Sequence, residues 1–225
     1  MIKKVICYTF SCLTIFFILS NNSLANNLSI SLVDNKKKPL ENAAVYAVPL
    51  TTPTKNIKST KKVTIRQKNK TYMPYVSIFQ TGTNVNFLNE DSIKHHVYSF
   101  SKAKRFEIKL YSGKPPKQIL FEKPGLVTLG CNIHDNMLAY AYVVGTPHYA
   151  LSNKQGKAVL SGIPDGQYLL KVEHPQQKNG TAIQTKIKLP AKTTSFSYQL
   201  ALKPQLMQTH QRKSDYGFFD DGYSD

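Results

Sequence analysis

Val127–Tyr140 reads VTLGCNIHDNMLAY and places Cys131, His134 and Met137 within seven residues. Short apolar runs flank the three, so the trio falls in a loop between two strand-like segments. A buried cysteine, a surface histidine and a core methionine that are neighbours by chance would account for it. A metal site would account for it equally well. The rest of the chain has to choose between the two.

The start of the chain bears on that choice. MIKK is a short positive stretch, VICYTFSCLTIFFIL is an apolar run without charge, and SNNSLA offers Ser23 and Ala25 as small residues before Asn26. This layout predicts a secretory signal over 1–25 and a periplasmic or secreted mature chain, with an uncleaved anchor as the other reading. No later segment approaches the length of a membrane span, so no integral membrane segment is expected after cleavage. Cleavage would also remove Cys7 and Cys12 and leave Cys131 alone. A lone cysteine in an oxidising compartment closes no internal disulfide, so it is inert and buried, intermolecular, or metal-bound.

The chain is strongly basic, with 30 Lys and Arg against 13 Asp and Glu and a formal charge of +17. Without Lys3 and Lys4 it carries 28 against 13, or +15. Such a surplus steers anionic partners toward the surface and is silent on the fold. There is no recognition helix and no RNA-binding aromatic motif, so nucleic acid is not expected. Acidic partner proteins and anionic envelope surfaces are.

Strand signals recur along the chain and helical periodicity is scarce. LSISLVD, NAAVYAVPL, HHVYSF, RFEIKLY, QILFEKPGLVTLGC and LAYAYVVG are β-branched or aromatic runs bounded by Gly, Pro, Asn or Ser. PYVSIFQTGTNVNFLN reads as two strands joined at Thr81-Gly82. GKAVLSGIPDGQYLLKVEHP, AIQTKIKLP and SFSYQLAL continue the pattern. An all-β sandwich or barrel follows. The expected division is a site-bearing domain over 26–145, a small β-unit over 146–203 and a flexible tail over 204–225. The strands within 28–48 are compatible with either unit. The polar, basic stretch 51–70 is expected to be an exposed loop.

For the chemistry, Cys-x-x-His alone is half a zinc site, and the mature chain has no second Cys/His pair, because His148, His174 and His210 are scattered. A cysteine nucleophile would leave Met137 without a role. Two His, one Cys and a weakly bound Met form the donor set of a type 1 copper centre. The second imidazole is available in NEDSIKHHVYSF, where alternation along a strand lets only one of His95 and His96 face inward. Met73 and Met207 read as packing residues.

VNFLNEDSIKHHVYSF, followed further along by KPGLVTLGCNIHDNM, resembles the cupredoxin family, the plastocyanin and amicyanin relatives. The Cys-x-x-His-x-x-Met spacing is similar to the short amicyanin-type loop. HHVYSFSKAKRFEIKLYSG and LGCNIHDNMLAYAYVVGTPHYA also resemble periplasmic plastocyanin-like proteins labelled as methylamine utilization proteins.

The resemblance implies a Greek-key β-sandwich holding one mononuclear copper. Cys131 would be the thiolate, His134 the solvent-edge imidazole and Met137 the long axial ligand. His95 would be the buried imidazole, six residues after Asn89. His96 stands where the family usually has Asn, so it remains the alternative to His95. Asn132 and Asn89 would support the ligands by hydrogen bonds. Lys94, Lys102, Lys104 and Arg105 would form a docking patch for an acidic redox partner. TPHYALSNKQGKAVLSGIPDGQYLLKVEHP resembles a small carboxypeptidase-regulatory or transthyretin-like β-domain. The expected function is single-electron transport without catalysis. Copper handling as a chaperone or buffer, and an envelope interaction module, are the alternatives.

Overall fold

The computed structural model describes residues 25–51, 59, 61–191 and 194–203. The expected signal segment, save Ala25, and the expected tail lie outside them. Among the described residues there are sixteen strands and no helix. In chain order they are β1 (Asn26–Asp34), β2 (Ala44–Pro49), β3 (Lys62–Lys68), β4 (Thr71–Met73), β5 (Val76–Gln80), β6 (Thr83–Asn89), β7 (His95–Ser101) and β8 (Lys104–Tyr111). There follow β9 (Ile119–Phe121), β10 (Gly125–Gly130), β11 (Leu138–Val144), β12 (Tyr149–Leu151), β13 (Lys157–Ile163), β14 (Gly166–Glu173), β15 (Ile183–Leu189) and β16 (Ser195–Leu200).

The strands form two β-sandwiches. The first packs the sheet β4-β3-β6-β9 against β5-β11-β10-β7-β8. Its core is one cluster that includes Ile65, Phe79, Phe87, Val97, Phe121, Val127 and Leu129, and Cys131 and Met137 belong to it. Strand parity explains the membership. Val127 and Leu129 of β10 point inward, and the same two-residue period carries on to Cys131. In β6 the inward row runs Thr83, Val85, Phe87 and ends at Asn89. In β7 it runs His95, Val97 and Ser99.

The second sandwich packs β13-β1-β16 against β12-β2-β14-β15. It has its own core of Leu28, Ile30, Leu32, Val45, Leu160, Leu170 and Val172, among others. A small third cluster joins the two bodies through Ala44 of the second and Val76 and Tyr142 of the first.

This grouping corrects the expected division at 146. β1 pairs with β13 and β16, and β2 pairs with β12 and β14. Residues 26–49 therefore belong with the C-terminal strands, and the second body is discontinuous in sequence. Those early strands cannot bury their apolar rows alone, and the C-terminal hairpins supply the missing faces.

The expected loop over 51–70 is also corrected. Residues 62–68 form β3, a central strand paired in parallel with β6 and antiparallel with β4. KVTIRQK alternates as a strand should, but its fully buried positions are only Ile65 and Gln67, so composition hid it. The turn at Thr81-Gly82 stands where expected, yet it does not close a hairpin. β5 pairs with β11 and β6 pairs with β3 and β9, so the chain crosses from one sheet to the other there.

Candidate metal centre

The site forms where β7 begins and β10 ends, at one end of the first sandwich. Cys131 Sγ lies 3.9 Å from His95 Nδ1 and 3.8 Å from His134 Nδ1. These three donor atoms lie within 4.8 Å of one another. The rings of His95 and His134 stand 5.1 Å apart between centroids. His95 is fully buried, Cys131 is buried and His134 is partly exposed at the solvent edge. Met137 is buried in the same core cluster as Cys131. Its backbone N–H donates to the His134 carbonyl at 3.0 Å, which closes the ligand loop into a tight turn.

Each side chain is held from behind. His95 Nε2 is 2.7 Å from Asp91 Oδ2, so Nε2 carries the proton and Nδ1 presents its lone pair to the sulfur. Asp91 is itself fixed, accepting from the backbone N–H groups of Asn69 at 2.7 Å and Lys70 at 3.0 Å. Both of those residues have positive φ, 53° and 57°, in the β3–β4 turn. The one carboxylate thus ties that turn to the imidazole. Burial raises the Asp91 carboxyl, but the bonds from Lys70, His95 and Asn69 outweigh it and hold its pKa below the ordinary value. Burial lowers the His134 pKa, with His95 and Lys70 adding to the effect and Asp91 opposing it.

Asn89 is buried at the end of the inward row of β6. Its side-chain amide donates to the carbonyls of Ile93 at 2.8 Å and Tyr111 at 2.9 Å, and its oxygen accepts from Asp91 N at 3.0 Å. It shapes the loop that delivers Asp91 and His95. Tyr72 donates to the Gly130 carbonyl at 2.9 Å, pinning the strand just before Cys131 to the opposite sheet. Burial holds that phenol protonated far above its usual range.

Other expectations fare differently. Asn132 is exposed, and its side chain makes no hydrogen bond among the described residues, so it does not tie the loop. His96 faces the outer side of the sheet, where Nε2 meets Glu107 Oε1 at 2.8 Å and the ring packs on Tyr98. Of the two histidines, His95 is the one brought to the sulfur. Lys94 lies beside the site, whereas Lys102, Lys104 and Arg105 lie at the far end of the β7–β8 hairpin. Seven residues of extended chain separate His95 from Lys102, about 20 Å, so the four cations do not make one patch. Asp91 was not among the expected supporting residues. An acid four positions before the histidine, two after an Asn that ends a strand, was the signal for it.

The donor set fits a metal ion. Separations of 3.8 and 3.9 Å leave room for one ion bonded to sulfur and both nitrogens at the usual lengths of about 2.0–2.3 Å. One thiolate and two imidazoles, with a thioether in the same buried cluster, suit copper better than a closed four-ligand zinc site.

No protein-family model matches the chain, and no curated protein matches it. Solved structures similar to it include a purple cupredoxin from Nitrosopumilus maritimus, at 21% identity and a TM-score of 0.33, covering 36% of this chain and 99% of that one. A Cu-containing nitrite reductase from Thermus scotoductus SA-01 is 22% identical at a TM-score of 0.36, covering 50% of this chain and 28% of that one. A reduced amicyanin variant is 14% identical at a TM-score of 0.34, covering 46% of this chain and all of that one. The family suggested by the sequence motif recurs among them.

Proposed function

We propose that the protein is an exported single-electron carrier built around one type 1 copper. The observation that carries this reading is the convergence of His95 Nδ1, Cys131 Sγ and His134 Nδ1 within 4.8 Å at a largely buried point. His95, Cys131 and His134 would hold the ion, with Met137 as the weak axial donor. When bound, copper supplies a one-electron couple that soft sulfur and imidazole can serve in both oxidation states.

The chain contributes rigidity and exclusion. Asp91 fixes the tautomer and angle of His95, Tyr72 and the sheet fix Cys131, and burial keeps water from the sulfur. Only the His134 edge reaches solvent, which makes it the exit for the electron. An acidic redox protein is the proposed partner, consistent with the charge of +15 that remains without Lys3 and Lys4.

The test is Cu(II) addition to the purified chain from Asn26 onward. An intense visible thiolate-to-copper band that a reductant bleaches and an oxidant restores is expected. Absence of the band, or its persistence in Cys131→Ser, would overturn the reading. A band that appears but does not cycle would point to copper storage instead.

A further inference from the structure

The end of the first sandwich opposite the metal centre carries a feature that electron transport does not use. The two-residue turn Lys102-Ala103 of the β7–β8 hairpin is flanked by Phe100, Lys104 and Arg105. Phe100 is 75% exposed, more than any other large apolar side chain among the described residues. It stands directly across the strand pair from Arg105. Tyr98 packs on it with ring centroids 5.1 Å apart, so the exposed ring is held in place from the body side.

The β9–β10 turn adds to this tip. It packs so closely that a Cβ on Gly125 would come within 2.9 Å of the Ala103 Cβ. The close approach sets Lys123 and Pro124 beside Lys102 around one open groove. A neighbouring groove is lined by Lys102, Lys104, Arg105, Glu122 and Lys123, and a third brings Lys117 alongside Arg105 and Glu107. Five cations therefore line the grooves of this tip, against Glu122 and Glu107, and Arg105 stands opposite the protruding Phe100. Glu107 is engaged with His96.

We propose that this tip docks on an anionic lipid surface, with Phe100 entering the headgroup layer and Lys102, Lys104, Arg105 and Lys123 meeting lipid phosphates. The composition decides between occupants. Protein interfaces are depleted in lysine, whereas lysine clusters beside an exposed aromatic suit a charged bilayer surface. Position agrees, because a chain docked by this end turns His134 away from the surface and leaves it open to a soluble partner.

The sequence contains no tryptophan. Phe100→Trp therefore installs a single reporter at the tip. The metal-free chain from Asn26 onward is mixed with phosphatidylcholine vesicles, either neutral or containing about 30% phosphatidylglycerol. A blue shift of the tryptophan emission and co-sedimentation are expected with the anionic vesicles alone. In the native chain, reversing Lys102, Lys104 and Arg105 to Glu weakens binding about 50-fold or more, each cation near a charged surface contributing severalfold. The control reverses Lys178, Lys186 and Lys188, exposed cations of the second sandwich, to Glu and so carries the same net charge as the tip variant. It loses no more than about threefold if the tip is the contact, since distant charges are screened.

Equal losses in the two triple variants would show diffuse attraction and overturn the proposal. So would vesicle binding without a blue shift, or a blue shift on polyglutamate with none on vesicles, which would place an acidic protein there. The assay involves no copper, so its failure leaves the electron-carrier reading where it stands.

Discussion

Asp91 shows how much of the centre depends on a residue that does not face the ligand atoms. Its carboxylate receives His95 Nε2 and two backbone N–H groups of the β3–β4 turn. Asp91→Ala therefore releases the imidazole to rotate and leaves three donors without their acceptor. Outer partners of this kind change metal affinity by about 10- to 100-fold, and a competitive copper titration of Asp91→Ala should fall in that range. Asp91→Asn keeps an acceptor oxygen and should lose less. Equal affinity in Asp91→Ala and the native chain would show that the turn, and not the carboxylate, positions His95. The neighbouring histidine makes the opposite prediction. His96 binds Glu107 on the outer face, so His96→Gln should retain the visible copper band that His95→Gln abolishes. Cys131, His134 and Met137 were legible because their spacing is local. The resemblance favoured His95 and left His96 as the alternative, since both side chains of the pair are buried and only the direction of the strand separates them.

Among the elements, β10 is the most constrained, because it must deliver Cys131 while leaving space for its neighbour. The Tyr98 ring lies over Gly130, where an added Cβ would sit 2.7 Å from the ring and 2.8 Å from its hydroxyl oxygen. Gly130 is paired with Tyr98 across the two strands and is not at positive φ, so the demand for glycine is steric and not conformational. Gly130→Ala must push the tyrosine outward or the strand inward, at about 1–3 kcal/mol. Urea unfolding would measure that loss. In a Tyr98→Leu background the same substitution should be nearly free, and an unchanged cost there would place the clash elsewhere. Strand β10 was easy to read, with Val127, Leu129 and Cys131 in one inward row. Strand β3 was not, because its inward positions include Gln67, which bonds to Tyr111, so it lacks the apolar stripe that marks a central strand. Parallel pairing hid it further, since β3 finds its partner β6 only across an intervening excursion of the chain.

At the scale of the whole molecule, the described residues start in the second sandwich, build the first, site-bearing sandwich as an insertion, and return to finish the second. Local patterning carries no signal for such a return, which explains why the strands were found while their division was misplaced. The joint between the bodies carries a pH-sensitive group. His174 follows β14 directly and is buried, and its Nδ1 accepts from Gln176 N at 3.2 Å, which requires an unprotonated nitrogen. The Gln176 side chain in turn bonds Tyr75 of the first sandwich, so the histidine sits two residues from the contact between the bodies. Burial lowers the His174 pKa from 6.5 to about 4, opposed by a hydrogen bond to the Glu41 backbone. The unfolded chain therefore binds the extra proton first as pH falls. Stability from this group is intact above about 6.5, is lost as pH drops from there to about 4, and loses no more below that. The full loss is about 3 kcal/mol. His148, whose pKa burial also lowers, adds a smaller loss in the same direction. Urea midpoints at a series of pH values between neutrality and about 4 should fall more steeply in the native chain than in His174→Gln. Parallel curves for the two chains would rule out His174 as the acid-sensitive element and move the search to the carboxylates of the first sandwich.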